Sequence, residues 1–336
     1  MHQIKESDST GEGVTNSDMS DYLQLESLPN EIFVEIFDYF SLSELYQSFK
    51  NLNQRINHVL QSLHNRAVQL WSSNENIEDE MNEFFSSTIG SLVINDDYDL
   101  HLHQYPKIHS LTYIYATHDQ LEHFLQSNFC HPNLRYLNVT SDDLSSFVEY
   151  IHSHQFPSLR QCNLRNIDSL SKCPWKMTPT SRSISICADE NFISIILQSC
   201  SNLKRLSLSI FHYSSTTSVP FVRTHRHLKH LAIEMIEPAW TVEMIERLFS
   251  LIHIPQLLSF QIQSHESSTI AFDFNRLLTI LNTYTPNLER FDCNISVPPG
   301  LDVKSIRELH PFLFSSIEFQ YQYDGSLRIS THRSEN

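Results

Sequence analysis

The chain has 336 residues, 40% of them hydrophobic, with 39 acidic against 23 basic side chains and a formal charge of -16. The apolar share is enough for a core in about two domains or one elongated one, and the acidic balance opposes general nucleic-acid binding. Five glycines, at 11, 13, 90, 300 and 325, are too few and too scattered for a phosphate-cradling loop, which excludes Walker-type ATPases, Rossmann dehydrogenases and kinases.

Residues 1–20 are Ser, Thr, Asp, Glu, Gly and Asn with few bulky apolar side chains, and read as a disordered tail. The opening Met1-His2-Gln3-Ile4-Lys5-Glu6 is unlike a secretory or mitochondrial leader. At Leu25 the pattern changes. Pro29 suits a helix start, and Ile32, Phe33, Ile36, Phe37 and Phe40 form a stripe at three- and four-residue spacing. Ser41 and Glu44 fit a capping box that opens a second helix carrying Leu45, Phe49 and Leu52. Asn53 can cap a third, carrying Ile56, Val59, Leu60 and Leu63. The spacing therefore predicts a three-helix module over 22–66, then an acidic linker or helix over 67–84.

From 85 to 330 a unit Leu-x-x-Leu-x-Leu repeats, often with proline two residues before it, as in Pro132-Asn-Leu-Arg-Tyr-Leu-Asn-Val139. Units start at Ile89, Ile108, Leu134, Leu159, Ser181, Leu203, Leu228, Leu257, Leu288 and Phe314. Such periods are the mark of a solenoid. A strand alternates its faces, so three positions per unit point inward, and Ser181 is the exception among otherwise apolar residues. The alternate positions are polar, with Val93, Ile114, Cys187 and Ala232 as apolar exceptions. Helical spacing fills the intervals at 119–129, 142–152, 190–200, 241–252 and 274–284. Ile317, Phe319, Tyr321 and Tyr323 alternate before a turn at Asp324-Gly325, and Leu327 and Ile329 return, which predicts an antiparallel hairpin cap. Residues 331–336 read as a tail.

The expected fold class is α/β: a three-helix module, then a curved strand-helix solenoid with a parallel sheet. No apolar run approaches the ~20 residues of a membrane span. The six cysteines (130, 162, 173, 187, 200, 293) lack close pairing and read as reduced thiols of a cytoplasmic or nuclear protein. Cys162 and Cys293 fall on inward positions, where they are inert core thiols. His101 and His103, and the run His225-Arg-His227-Leu-Lys-His230, are the candidate metal ligands. Arg226 and Lys229 would repel a divalent cation, and no carboxylate or thiolate stands at ligand spacing, so no metal and no cofactor is expected. No Gly-x-Ser-x-Gly elbow occurs, and the acidic pairs Asp96-Asp97 and Asp142-Asp143 suit turns and helix caps. No catalytic residue is assigned.

Leu28-Pro29-Asn-Glu31-Ile32, then Ile36-Phe37-Asp-Tyr39-Phe40, and Leu52-Asn53-Gln-Arg55-Ile56 resemble the F-box, at that family's spacing across three helices. The following region is similar to leucine-rich repeats, although the asparagine or cysteine that follows the third apolar position in that family is absent here. The resemblance implies a non-catalytic substrate receptor of an SCF-type ubiquitin ligase. Its docking surface for a Skp-type adaptor, and through it a cullin, would include Leu28, Pro29, Ile32, Ile36, Phe37, Leu45 and Arg55. The solenoid would hold a protein substrate, with neither nucleic acid nor membrane as partner. The competing reading is a protein-binding scaffold whose helical module is only an end cap. Charge is uneven: 67–106 carries eight acids and no Lys or Arg, while 191–233 carries five basic residues and no acid. Arg165, Arg205 and His230, outward on neighbouring strands, are the candidate face for an acidic or phosphorylated substrate element.

Overall fold

The computed structural model describes residues 27–63, 66–70, 76–95, 102–126, 132–141, 144, 147, 151, 156–165, 180–187, 191–210, 223–237, 239–267, 272–297, 302–310, 312–315, 317–321 and 327–331. The chain divides into two units, Met1–Leu63 and His64–Asn336.

The first unit holds α1 (Asn30–Phe37), α2 (Leu42–Phe49) and α3 (Gln54–Ser62). Side chains fix their boundaries. Ser41 accepts from the Glu44 N–H at 3.3 Å while Glu44 accepts from the Ser41 N–H at 2.8 Å, so two orphan donors at the start of α2 are satisfied. The Ser41 N–H, and then the Ser41 hydroxyl, donate to the Glu44 carboxylate and hold it below its ordinary range. Asn53 accepts from the Ile56 N–H at 2.8 Å and opens α3. Asn51, at a φ of 65°, takes the left-handed turn between the two helices, a conformation that asparagine tolerates. Phe33, Phe37, Leu45, Ile56 and Leu60 are buried, with Phe37 at 5.6 Å from Phe33 and 4.9 Å from Phe49 between ring centroids.

The second unit is α/β with a large, mostly parallel sheet. Its strands are β1 (Arg66–Leu70), β2 (Ile89–Asn95), β3 (Ser110–Ile114), β4 (Tyr136–Thr140), β5 (Gln161–Arg165), β6 (Ser183–Cys187) and β7 (Arg205–Ile210). Then come β8 (Arg223–Thr224), β9 (His230–Met235), β10 (Ile252–His253), β11 (Ser259–Ser267), β12 (Arg290–Val297), β13 (Ile317–Tyr321) and β14 (Leu327–Thr331). Twelve of them form one sheet in the order β1-β2-β3-β4-β5-β6-β7-β9-β11-β12-β14-β13, and β8 pairs with β10 apart from it. All pairs from β1 to β12 in that sheet are parallel. From β1 to β12 the strands of this sheet therefore follow one another in chain order, with only β8 and β10 set aside, consistent with a solenoid-like stack of units. Between strands run α4 (Asn76–Phe85), α5 (His118–Gln126), α6 (Asn191–Ser199), α7 (Val242–Leu251), α8 (Phe274–Tyr284) and α9 (Val303–Leu309). Thr241 and Asp273 cap α7 and α8.

The repeat spacing translates directly into burial. Every inward position of the ten units is buried except Leu288 and Phe319, and Ser181 is as buried as its apolar counterparts. The return into each strand is a turn with a common bond. The N–H of the unit's first residue donates to the carbonyl three residues back at Ile108, Leu159, Leu203, Leu257 and Leu288. Proline two residues before the strand unit suits the second position of such a turn, since its φ is already set.

At Leu228 a side chain substitutes. The Leu228 N–H donates to His225 Nδ1 at 3.1 Å, and His225 Nε2 lies 2.9 Å from the Cys200 carbonyl. An N–H can only donate, so Nδ1 is unprotonated and the proton sits on Nε2. Burial, above all, lowers the His225 pKa from its ordinary 6.5, with the nearby His227 adding to this. Charging the ring would also break its bond from Leu228. The unfolded chain then binds the extra proton first, so stability should fall as pH drops below 6.5. Urea midpoints for the wild type and His225→Gln across pH 7.5 to 5.5 check this, and an equal fall in both would refute it.

Three differences from the sequence reading have physical causes. The stretch read as a linker or helix over 67–84 contains α4, but it is preceded by β1, which pairs in parallel with β2 and starts the sheet one strand earlier. The unit at Phe314 is not the next parallel rung. β14 inserts antiparallel between β12 and β13, so β13 is the edge strand, Phe319 is only half-buried, and Tyr321 is exposed. Leu327 and Ile329, from the returning strand, are buried in its place. Finally, α2 ends at Phe49, which leaves Leu52 outside it and exposed. The tail at 1–20, Leu25, Asp96-Asp97, His101, Cys130, Asp142-Asp143, Cys173, the turn at Asp324-Gly325 and residues 332–336 lie outside the described residues.

Candidate functional site

The apolar stripe of α1 divides into two faces. Phe33 and Phe37, four residues apart, fill the interior, while Ile32 and Ile36 form the adjacent face and remain accessible. Ile32, Ile36, Tyr39 and Phe40 line an open depression of about 400 Å³, with Glu35 and Asp38 at its border. Ile32 is 38% exposed, Val34 36%, Tyr39 89% and Leu52 56%. In a unit this small, so much exposed apolar surface has an energetic cost that contact with a partner removes.

The seven residues expected at a docking surface separate accordingly. Pro29 and Ile32 are exposed, and Leu28 and Ile36 are half-buried. Phe37 and Leu45 are wholly buried and belong to the core of the unit, not to an accessible surface, because their helix faces are turned inward. Arg55 is exposed but already engaged. Its Nε donates to Asn30 Oδ1 at 2.9 Å, its terminal nitrogen donates to the Leu28 carbonyl, and its guanidinium lies 5.5 Å from the Phe33 ring centroid. It braces α3 against the start of α1. Val34 and Tyr39 escaped the sequence reading as surface residues. Each is an apolar or aromatic residue directly beside a stripe residue, Val34 after Phe33 and Tyr39 before Phe40, and that off-stripe place was the available signal.

On the second unit, the expected substrate residues are only partly united. Arg205 and His230 are register partners on β7 and β9. With Ser207, Gln261, Arg290 and Asp292 they line an open depression of about 490 Å³ on the polar sheet face. Arg290 and Asp292 pair at 2.8 Å. Partial burial, then the charges of Arg205 and Lys229, lower the His230 pKa. Arg165 shares that face but not that place. Gln161 aligns with Ser183 and Arg205, which puts Arg165 four residues further along, about 13 Å toward the other strand end.

Burial pushes the Cys162 and Cys200 thiols up to about 12 and raises Cys293 further, so these free cysteines are poor nucleophiles. Among the described residues no group of three or more His, Cys, Asp or Glu could hold a metal, and no helix is long and apolar enough to cross a membrane. No protein-family model matches the chain, and no curated protein matches it.

Proposed function

We propose that this chain is the substrate-recognition subunit of an SCF-type ubiquitin ligase, in the cytoplasm or nucleus, with the Met1–Leu63 unit docking a Skp-type adaptor and the second unit binding a protein substrate. One observation carries the reading: α1 and the turn that follows it keep an apolar ridge of Ile32, Ile36 and Tyr39 outside a core that Phe33 and Phe37 already fill. A standard interface covers ~800 Å² per partner and centres on a few buried apolar anchors, which is the kind of surface such a ridge offers. The F-box-like spacing of Leu28-Pro29, Ile36-Phe37 and Arg55-Ile56 supports the same partner. Chemistry is left to other subunits. A receptor of this kind holds a substrate lysine near a charged conjugating enzyme and raises its effective concentration, so it supplies no reacting group.

Co-purification with a Skp-type adaptor tests this. The wild type should retain the adaptor, and Ile32→Asp/Ile36→Asp should weaken retention about thirtyfold or more, because two carboxylates would be desolvated at the anchor. Both positions are accessible, so circular dichroism should be unchanged. If the wild type fails to bind, or the folded variant binds equally, the helical unit is an end cap and the ligase reading fails.

A further inference from the structure

The residue after the start of each repeat is held in a row by the backbone. The Arg135 N–H donates to the His109 carbonyl at 2.8 Å, Arg160 to Arg135 at 2.8 Å, Arg182 to Arg160 at 2.8 Å, Lys204 to Arg182 at 2.8 Å and Lys229 to Lys204 at 2.9 Å. One rung per strand spaces these cations about 4.8 Å apart, in a row about 19 Å long. All five side chains are exposed, and none pairs with an acidic group among the described residues. Arg135, Arg160, Arg182 and Lys204 line an open depression of about 550 Å³ together with Ser158 and His227, and no described carboxylate lines it.

The row has definite ends. His109 precedes it, and the next rungs are Leu258 and Glu289, joined by the same backbone bonds. Like charges side by side raise one another's energy, and they do so here on a chain of formal charge -16. A bound anion relieves that repulsion.

We propose that this row binds a short acidic peptide segment of a protein partner, extended along the ladder and bearing carboxylates or phosphates. About six extended residues span it. A nucleic-acid duplex or a membrane needs a broad cationic field, which a bounded single row on an acidic protein does not offer. The ladder runs beside the Arg205–His230 face with a lining of its own, and it needs no adaptor. Its success or failure is therefore separate from that of the α1 ridge.

Fluorescence anisotropy with the full chain tests the assignment. The probes are an eight-residue Glu-rich peptide, an alternating phosphoserine peptide of the same length, their Gln counterpart, single-stranded RNA and phosphatidylserine vesicles. An acidic peptide should bind about tenfold or more tighter than the Gln peptide, and should weaken about tenfold between 0.05 M and 0.5 M salt. Arg160→Gln/Arg182→Gln/Lys204→Gln should weaken it about tenfold or more, whereas Arg160→Lys/Arg182→Lys should stay within about threefold. Should the triple variant lose its circular dichroism, Arg182→Gln alone, about threefold weaker, carries the comparison. The tighter of the two acidic peptides identifies the source of the charge. Equal binding of the Gln peptide, unchanged affinity in the folded variants, or tighter binding of RNA or vesicles overturns the proposal.

Discussion

Phe260→Ala should destabilise the second unit by about 3–5 kcal/mol and loosen its C-terminal strands first. Phe260 is fully buried on β11, with ring centroids 5.0 Å from Phe249 of α7 and 5.8 Å from Phe291 of β12. Phe291 continues to Phe314 at 5.9 Å, and Phe314 to Phe274 of α8 at 5.8 Å. The substitution thus removes the second ring of a continuous aromatic chain and leaves a cavity that rigid neighbours cannot close. In a stack of units each one leans on its neighbours, so damage should spread locally before it spreads globally. Two reporters are built in. The Trp240 indole N–H donates to the Gln263 carbonyl at 3.0 Å on the same strand, and the buried Cys293 thiol aligns with Ile262. The expected result is a lower urea midpoint and faster labelling of Cys293, with Cys162 on β5 still protected. Equal exposure of both thiols would refute the local picture. Phe260→Leu should recover most of the stability, because it restores most of the volume.

Phe37→Ala should melt α1 to α3 and abolish adaptor capture without touching the proposed docking surface. The side chain is fully buried between Phe33 and Phe49. A loss of about 3–5 kcal/mol exceeds what so small a unit can spare. Ile36→Asp, one residue earlier, should do the opposite: helicity kept, capture lost. Circular dichroism at 222 nm and limited proteolysis over 30–62, read beside the co-purification, separate the two. A Phe37→Ala chain with native helicity and native melting would show that Phe33 and Leu45 suffice for the core, and that the division of α1 into inner and outer faces is wrong.

The adjacent residues Ile36 and Phe37 illustrate how much of the site was legible. Both stand in one apolar stripe, and spacing alone treats them alike. Caps were easier, because a cap is a bond between residues three apart. Ser41 with Glu44, and Asn53 before Ile56, are found where local chemistry puts them. On the second unit the inward positions were readable for the same reason, since alternation along a strand is a property of the strand itself. The hairpin was anticipated as a pair, but not its insertion of β14 beside β12, which depends on edges that meet only in the folded chain.

From its sequence alone, then, this chain declares which residues recur and which strand face is apolar: Leu137, Cys162, Ile184, Leu206 and Leu231 are inward by spacing and buried in fact. Only the tertiary structure decides what lies beside what. Arg135, Arg160, Arg182, Lys204 and Lys229 stand 22 to 25 residues apart and become neighbours because backbone bonds set one register across four intervals of unequal length. Likewise, α1 presents Ile32 and Ile36 outward because Phe33 and Phe37 occupy the interior. Periodicity is a one-dimensional property, whereas a binding surface is made by the packing that brings separate segments together.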